Sequence, residues 1–390
     1  MSVLVVHPGL QHAHQLAWAL HEVNLLQGFW SGVPIQATGS SIGRWLPAYL
    51  ARKLKEVDIP AQMCRHPVWF PVLSRSTRWL PRAMHPGDVA CRIDHWFDAW
   101  AAPRVVQARP RAVVAYENAA RDTFRAAKAA GVRCILDAAS IHHEMGARLN
   151  PVAPTPYLRQ VNQRKAEEIE LADLILTCSP LAAESYRAAG VPDSKLQPIS
   201  LGANLPTVDF QCKKHSKPLH FVFAGALSRR KAIDLILEAF SALYALGMPY
   251  RLSFVGGEAE PGWVEKIQNL PEATYFPSMA QRDLFAFIED ADCLLLPSRY
   301  DAFGMVVAEA MAVGTPAIVS TNTGAKLMID AVPGAGWVVD CNAGSLFDCV
   351  HARLSDRTSL FDARAHAREA ARQFTWSAYR HRAGSAIAHW

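Results

Sequence analysis

Short apolar runs and stretches of helical periodicity alternate along almost the whole chain. Runs at 3–6, 112–116, 134–137 and 174–178 have the length and continuity of buried strands, with helical patterns between them at 119–130 and 157–172. Continuous apolar runs suit parallel strands covered on both faces, and the strand–helix rhythm is that of βαβ units. After Leu205 the pattern breaks. Segment 207–217 carries Lys213, Lys214, His215, Ser216 and Lys217 with little apolar content, as a solvated linker does. The rhythm then restarts as though from a new N-terminus, with strands at 219–224, 251–255, 293–296 and 316–320 and helices at 233–246, 281–289 and 304–312. The spacing predicts two α/β units, 1–206 and 218–375, joined by 207–217. A cleft between two such units, at the carboxyl ends of parallel strands, is where these folds hold ligands.

Size and composition agree with two globular domains. The chain has 390 residues, 51% apolar and 19% charged, which is past a comfortable single core and leaves no room for extensive disorder. A formal charge of +5 is too mild and too spread for a nucleic-acid protein, and fits anionic small ligands or a lipid surface. None of the eight cysteines forms a C-x-x-C pair, so reduced core thiols are expected and structural zinc is not. The first residues enter a short strand, Val3-Leu4-Val5-Val6, without a basic or long apolar leader, and no window holds 18 consecutive apolar residues. A cytoplasmic protein is the expectation.

One region departs from the rhythm. Between 41 and 111 stand Trp45, Trp69, Trp79, Trp96 and Trp100, with twelve Lys or Arg against five acids. Indole beside cation suits the interface of an anionic bilayer, so peripheral attachment to the inner face of a membrane is one reading. A tryptophan-rich core with a solvated basic rim is the other.

The densest candidate chemistry lies at Pro297-Ser298-Arg299-Tyr300-Asp301-Ala302-Phe303-Gly304-Met305-Val306-Val307-Ala308-Glu309. A buried strand ends, a polar loop follows, and a helix starts near Gly304, where backbone without Cβ admits a ligand closely. The first N–H groups of that helix suit a phosphate. Asp301 before the helix and Glu309 in its second turn can face one cleft and accept hydroxyls of one extended ligand. Taken alone, Asp301 reads equally as a helix cap. A second stretch, Phe221-Val222-Phe223-Ala224-Gly225-Ala226-Leu227-Ser228-Arg229-Arg230-Lys231-Ala232-Ile233-Asp234, is strand, glycine turn, three cations and helix. It would meet a diphosphate, or be a solvated basic loop.

The string Pro-Ser-x-x-Asp-x-Phe-Gly-x-x-x-x-Glu-Ala-Met-Ala-x-Gly-x-Pro resembles the donor-site motif of family 4 retaining glycosyltransferases (glycosyl transferases group 1), which have the GT-B fold of two Rossmann-like domains facing across a cleft. The resemblance implies that Asp301, standing where the family usually has Glu, contacts the donor sugar. It implies that backbone at Phe303, Gly304, Met305 and Val306 lines sugar and phosphate, and that Glu309 binds the ribose. The 225–232 stretch is similar to the family's Gly-Arg-Leu-x-x-x-Lys-Gly. Gly225 and Lys231 match, and Ala226 stands at the Arg, leaving that contact to Arg230 or Arg229. Gly256 and Phe276 fall on the segments that the family places at the donor cleft and around the base. In the first domain Gly9, Leu10 and Gln11 occupy the family's first loop, an acceptor or phosphate loop. The string Asp137-Ala138-Ala139-Ser140-Ile141-His142 resembles one in which the histidine lies near the reacting carbon, with His143 the neighbouring alternative. The segment 376–390 resembles the last helix, which returns to the first domain.

What the resemblance implies is a retaining, metal-independent transferase with Lys231, Asp301 and His142 in catalytic places. It would take a nucleotide diphosphate sugar as co-substrate, with no other cofactor, and a glycan or lipid-linked acceptor. A nucleotide-sugar epimerase of the same fold and a silent nucleotide-sugar-binding protein remain as alternatives. A nicotinamide enzyme does not fit, because the first turn, His7-Pro8-Gly9-Leu10-Gln11-His12, has no G-x-G-x-x-G.

Overall fold

The computed structural model describes residues 2–39, 55–67, 86–151, 155–206 and 218–390. Most of 41–85, with Trp45, Trp69 and Trp79, and all of the expected linker 207–217 lie outside them.

The first α/β unit runs β1 (Val3–His7), α1 (Ala13–Glu22), β2 (Leu26–Ser31), β3 (Ile35–Thr38), β4 (Lys55–Pro60), β5 (Cys64–Arg65), α2 (Pro86–Ala108), β6 (Ala112–Tyr116) and α3 (Arg121–Ala129). It continues through β7 (Arg133–Ala138), α4 (His143–Leu149), α5 (Pro156–Leu171), β8 (Leu174–Thr177), α6 (Pro180–Ala188) and β9 (Leu196–Pro198). Among the described residues the sheet order is β5-β2-β1-β6-β7-β8-β9, all parallel. The chain winds outward from β1 in one direction and from β6 in the other, so the loops after β1 and β6 part there and leave a crevice. The apolar runs at 112–116, 134–137 and 174–178 are the central strands. Leu26–Ser31 was not legible as a strand, since Gln27 and Gly28 interrupt its apolar run.

The second unit runs β10 (Leu219–Ala224), α7 (Ile233–Ala245), β11 (Tyr250–Val255), α8 (Trp263–Gln268), β12 (Ala273–Phe276), α9 (Gln281–Asp290), β13 (Cys293–Leu296) and α10 (Met305–Ala312). Then follow β14 (Ala317–Ser320), α11 (Lys326–Asp330), β15 (Gly336–Val339), α12 (Ala343–Ser355), α13 (Thr358–Ala371) and α14 (Trp376–Ala388). Its parallel sheet, β12-β11-β10-β13-β14-β15, changes direction between β10 and β13. The loops leaving those two strands are 225–232 and 297–304. Topology alone therefore sets the basic turn beside the acidic loop.

Helix α14 crosses back to the first unit. The guanidinium of Arg380 lies 3.8 Å over the Trp18 ring and pairs with Glu22 at 3.0 Å, and Gly384 packs on Ala19 of α1 and on Val23, which caps that helix. Two contacts also join the units at the cleft. The Ser179 hydroxyl, which caps α6, donates to the Ala302 carbonyl at 2.6 Å, and the Tyr300 ring lies against Gly146 in α4.

Of the described tryptophans from the basic segment, Trp100 belongs to the core. It packs at 5.8 Å from Trp30 and 5.5 Å from Phe97. Trp96, one turn earlier on α2, is 50% exposed. Among the described residues no helix is long and apolar enough to cross a membrane.

Candidate functional site

The donor-side residues converge at the carboxyl ends of β10 and β13. Lys231 closes a single 3-10 turn, Arg229–Lys231, and its ammonium pairs with the Asp301 carboxylate, both side chains being largely enclosed. Burial alone would raise the Asp301 carboxyl. The Lys231 charge and hydrogen bond, with Arg230 and the Phe303 N–H at 3.2 Å, outweigh it and hold the group below the usual carboxylate range. Arg230 lies over the Tyr300 ring at 5.4 Å and donates to the Tyr300 carbonyl at 3.3 Å. The cationic group nearest Asp301 after Lys231 is thus Arg230, while Ala226 is exposed and carries no polar atom.

Two special backbone positions shape the turn. Gly225 and Gly256 end adjacent strands at φ 152 and 151, and a Cβ on Gly256 would stand 1.8 Å from the Gly225 carbonyl oxygen. Ala232, where the family pattern has Gly, is held in the left-handed region at φ 60 and is fully buried.

Gly304, at φ 79, turns the loop into α10. Helix bonding begins with Val307 N–H to the Gly304 carbonyl at 2.9 Å, so the Met305 and Val306 N–H groups have no carbonyl inside the helix to reach. Phe303 turns inward toward Phe374, and its backbone N–H is held by Asp301. Glu309 is buried in α10 and accepts from the Gln281 amide at 2.9 Å. Burial pushes its carboxyl upward against that hydrogen bond. Phe276 stacks edge-on to Phe287 at 4.9 Å, and its carbonyl receives the Gly256 N–H at 3.0 Å.

Across the cleft, His142 is the N-cap of α4. Its backbone N–H donates to Ser185 at 2.8 Å, and its Nδ1 faces the Glu144 N–H at 3.4 Å. Burial, helped by His143 and Lys165, lowers the imidazole to about 4, so the ring is neutral at physiological pH. Asp137 of the same string reaches elsewhere, pairing with His12 at 3.0 Å, while Ser140 donates to Glu117 at 2.7 Å beside Lys165 at 3.0 Å. Gly9, Leu10 and Gln11 leave β1 in a loop fixed by Gly9 N–H to His7 Nδ1 at 2.8 Å and Tyr116 hydroxyl to Gln11 at 2.7 Å. Glu168 of α5 points into the first unit and receives the Asn118, Ala120 and Arg121 N–H groups.

No contact joins His142 directly to Lys231 or Asp301 among the described residues; α6 links them, through Ser185 on one side and Ser179 on the other. Sequence reasoning missed Arg299, Asp234, Tyr300 and Gln281. The first two carried a signal, opposite charges immediately flanking the two candidate loops. Among the described residues no group of three or more His, Cys, Asp or Glu is gathered as a metal would need.

Known proteins resemble this chain in sequence over its second unit and in fold over its whole length. Residues 206–374, somewhat less than half of the chain, match the family model described as Glycosyl transferases group 1. The protein named as a colanic acid biosynthesis glycosyltransferase, WcaL of Salmonella typhimurium, is 28% identical over 202 residues, 48% of this chain and 47% of that one. The chain spans about half the length of such curated relatives. Over the whole chain, sucrose-phosphate synthase of Thermosynechococcus elongatus superposes with TM-score 0.72 at 17% identity, covering 100% of this chain and 99% of that one. HepE of Anabaena in complex with UDP-glucose superposes with TM-score 0.64 at 14% identity, covering 100% of both. These likenesses show the fold, and it is GT-B.

Proposed function

We propose that the chain is a retaining glycosyltransferase that moves a sugar from a nucleotide diphosphate donor to a hydroxyl of a glycan or lipid-linked glycan precursor. The observation that carries this is the meeting of Lys231 and Asp301 beside the N-terminus of α10. A diphosphate seated there would meet Lys231, Arg230 and the free N–H groups of Met305 and Val306, which together stabilise the charge that grows as the sugar departs. Asp301 would hold sugar hydroxyls and Glu309 the ribose. These cations do for the diphosphate what a divalent ion does elsewhere, so transfer should survive chelation by EDTA. His142, neutral and on the facing wall, would sit at the sugar and the acceptor. Support for a nucleotide-sugar donor comes from HepE, a protein of the same fold seen with UDP-glucose.

The test is proton NMR of UDP-, GDP- and ADP-sugars incubated with the protein and candidate acceptors. Transfer that keeps the donor's anomeric configuration supports the reading. An inverted product, or an epimerised donor without transfer, overturns it.

We also propose peripheral contact with an anionic membrane at the cytoplasmic face, supported by exposed Trp96 on α2 between Arg92 and Arg104. Vesicle flotation should show binding that needs anionic lipid, weakens in Trp96→Ser and fades with salt. Equal indifference to neutral and anionic vesicles contradicts it.

A further inference from the structure

Arg299 stands two positions before Asp301 and has no part in the reading above. Its guanidinium forks onto Asp234, Nη1 to Oδ1 and Nη2 to Oδ2 both at 2.7 Å, and Nη1 also donates to the Arg229 carbonyl at 2.6 Å. Its backbone N–H donates to the Arg230 carbonyl at 2.9 Å. One residue thus grips the 229–234 turn at its first residue, its middle and its helical end. Apart from Arg299 the turn is held by Arg229 N–H to the Glu260 carboxylate at 2.8 Å, Lys231 N–H to Ser228 at 3.1 Å and Ala232 N–H to Arg229 at 2.9 Å, around a left-handed alanine; none of these ties it to the loop that carries Asp301.

We propose that Arg299 is a positioning residue for the donor diphosphate, bracing the turn that presents Arg230 and Lys231 against the loop that presents Asp301 and the start of α10. The inference rests on the donor-site reading. Its physical content is registration. A diphosphate needs two cations and a helix terminus at fixed separations, and long side chains on a loose turn would have to be ordered at the moment of binding. The planar fork of arginine can hold a carboxylate and a carbonyl together, which a lysine ammonium cannot do with the same geometry. The brace does not reach the base or ribose side, where Gln281 and Glu309 lie on other helices.

Calorimetry on the full chain with UDP, GDP and ADP, and with UMP, GMP and AMP, separates the contributions. Wild-type protein should prefer the diphosphate of one base. In Arg299→Lys and in Asp234→Asn, diphosphate affinity should fall about tenfold with monophosphate affinity unchanged. The double variant should lose no more than Arg299→Lys alone, because both single changes break the same Arg299–Asp234 fork. Equal losses for mono- and diphosphates, unchanged diphosphate affinity, or additive losses in the double variant would each overturn the proposal. A wild-type protein without any preference for diphosphates would instead bring down the donor-site reading on which it stands.

Discussion

Lys231 and Asp301, 70 residues apart in the chain, meet as an ion pair because their loops leave neighbouring strands at the point where the second sheet reverses direction. Removing either partner leaves the other enclosed without its counter-charge. Lys231→Ala should therefore lower transfer roughly 10- to 150-fold and also reduce thermal stability, through the stranded Asp301 carboxylate. Asp301→Asn should lower transfer while leaving the melting temperature closer to wild type, since the amide still accepts from Phe303. Steady-state rates beside melting curves check this. Full activity in Lys231→Ala would remove the lysine from the site.

His142→Ala should reduce transfer far more than nucleotide binding, because the ring lies on the facing wall, away from the 225–232 turn. A transfer assay beside nucleotide calorimetry decides. Wild-type transfer in this variant contradicts the assignment, and loss confined to His143→Ala moves it by one residue.

Two turn positions behave oppositely toward an added methyl. Gly256→Ala should destabilise by about 3 kcal/mol or more, since its Cβ would overlap the Gly225 carbonyl and the backbone must shift. Ala232→Gly relieves a left-handed alanine and should keep or raise the melting temperature. A marked loss of stability in Ala232→Gly would mean that the buried methyl matters more than the strain.

Much of this was legible in the sequence, for a physical reason. The strands at 112–116, 219–224 and 293–296 are buried on both faces and so are almost wholly apolar, with His220 the exception, hydrogen-bonded to Ser253 at 2.8 Å. The 225–232 and 297–304 loops carry their charges close to glycine turns, a local pattern visible in the chain. Other features leave no local trace. Strand β2 is interrupted by Gln27 and Gly28, because what qualifies it is pairing with β1 rather than its own pattern. Asp137 looked like a neighbour in function to His142 and instead pairs with His12, a contact made by tertiary approach across 125 residues. Glu168, in the polar pattern of α5, is buried and caps the 118–121 loop, a role set by tertiary approach rather than by its own helix.

Acid should destabilise the fold. Burial lowers His7 to about 3 and His95, His142 and His220 to about 4, and lowers His66 and His143 in the same direction. Unfolded, these imidazoles take protons near pH 6.5, so between about 6.5 and 4 the unfolded chain binds more protons and stability drops as pH falls. Asp94 and Glu168, pushed up to about 7 by burial, and Asp98 and Glu309, raised by burial in the same direction, act in the opposite sense, favouring the fold at low pH and losing the contribution as pH rises. His12, raised by Asp137 against its burial, acts in that sense too. The lowered imidazoles outnumber these groups. Melting temperature should decline from pH 6.5 to 4.5, and a flat or rising profile contradicts the burial of these rings as neutral groups.

The most direct measurement is calorimetric titration of wild-type and Glu309→Ala protein with UDP-, GDP- and ADP-glucose. Glu309 is buried in α10 one turn beyond the Met305 and Val306 N–H groups, and among the described residues Gln281 is the side chain that holds it. The account predicts that wild-type protein binds the sugar nucleotide of one base and that Glu309→Ala binds it at least about tenfold more weakly, with its fold intact by circular dichroism. Wild-type protein that binds none of the three, or a folded Glu309→Ala variant that binds as tightly as wild type, would contradict the claim that this cleft is a nucleotide-sugar site.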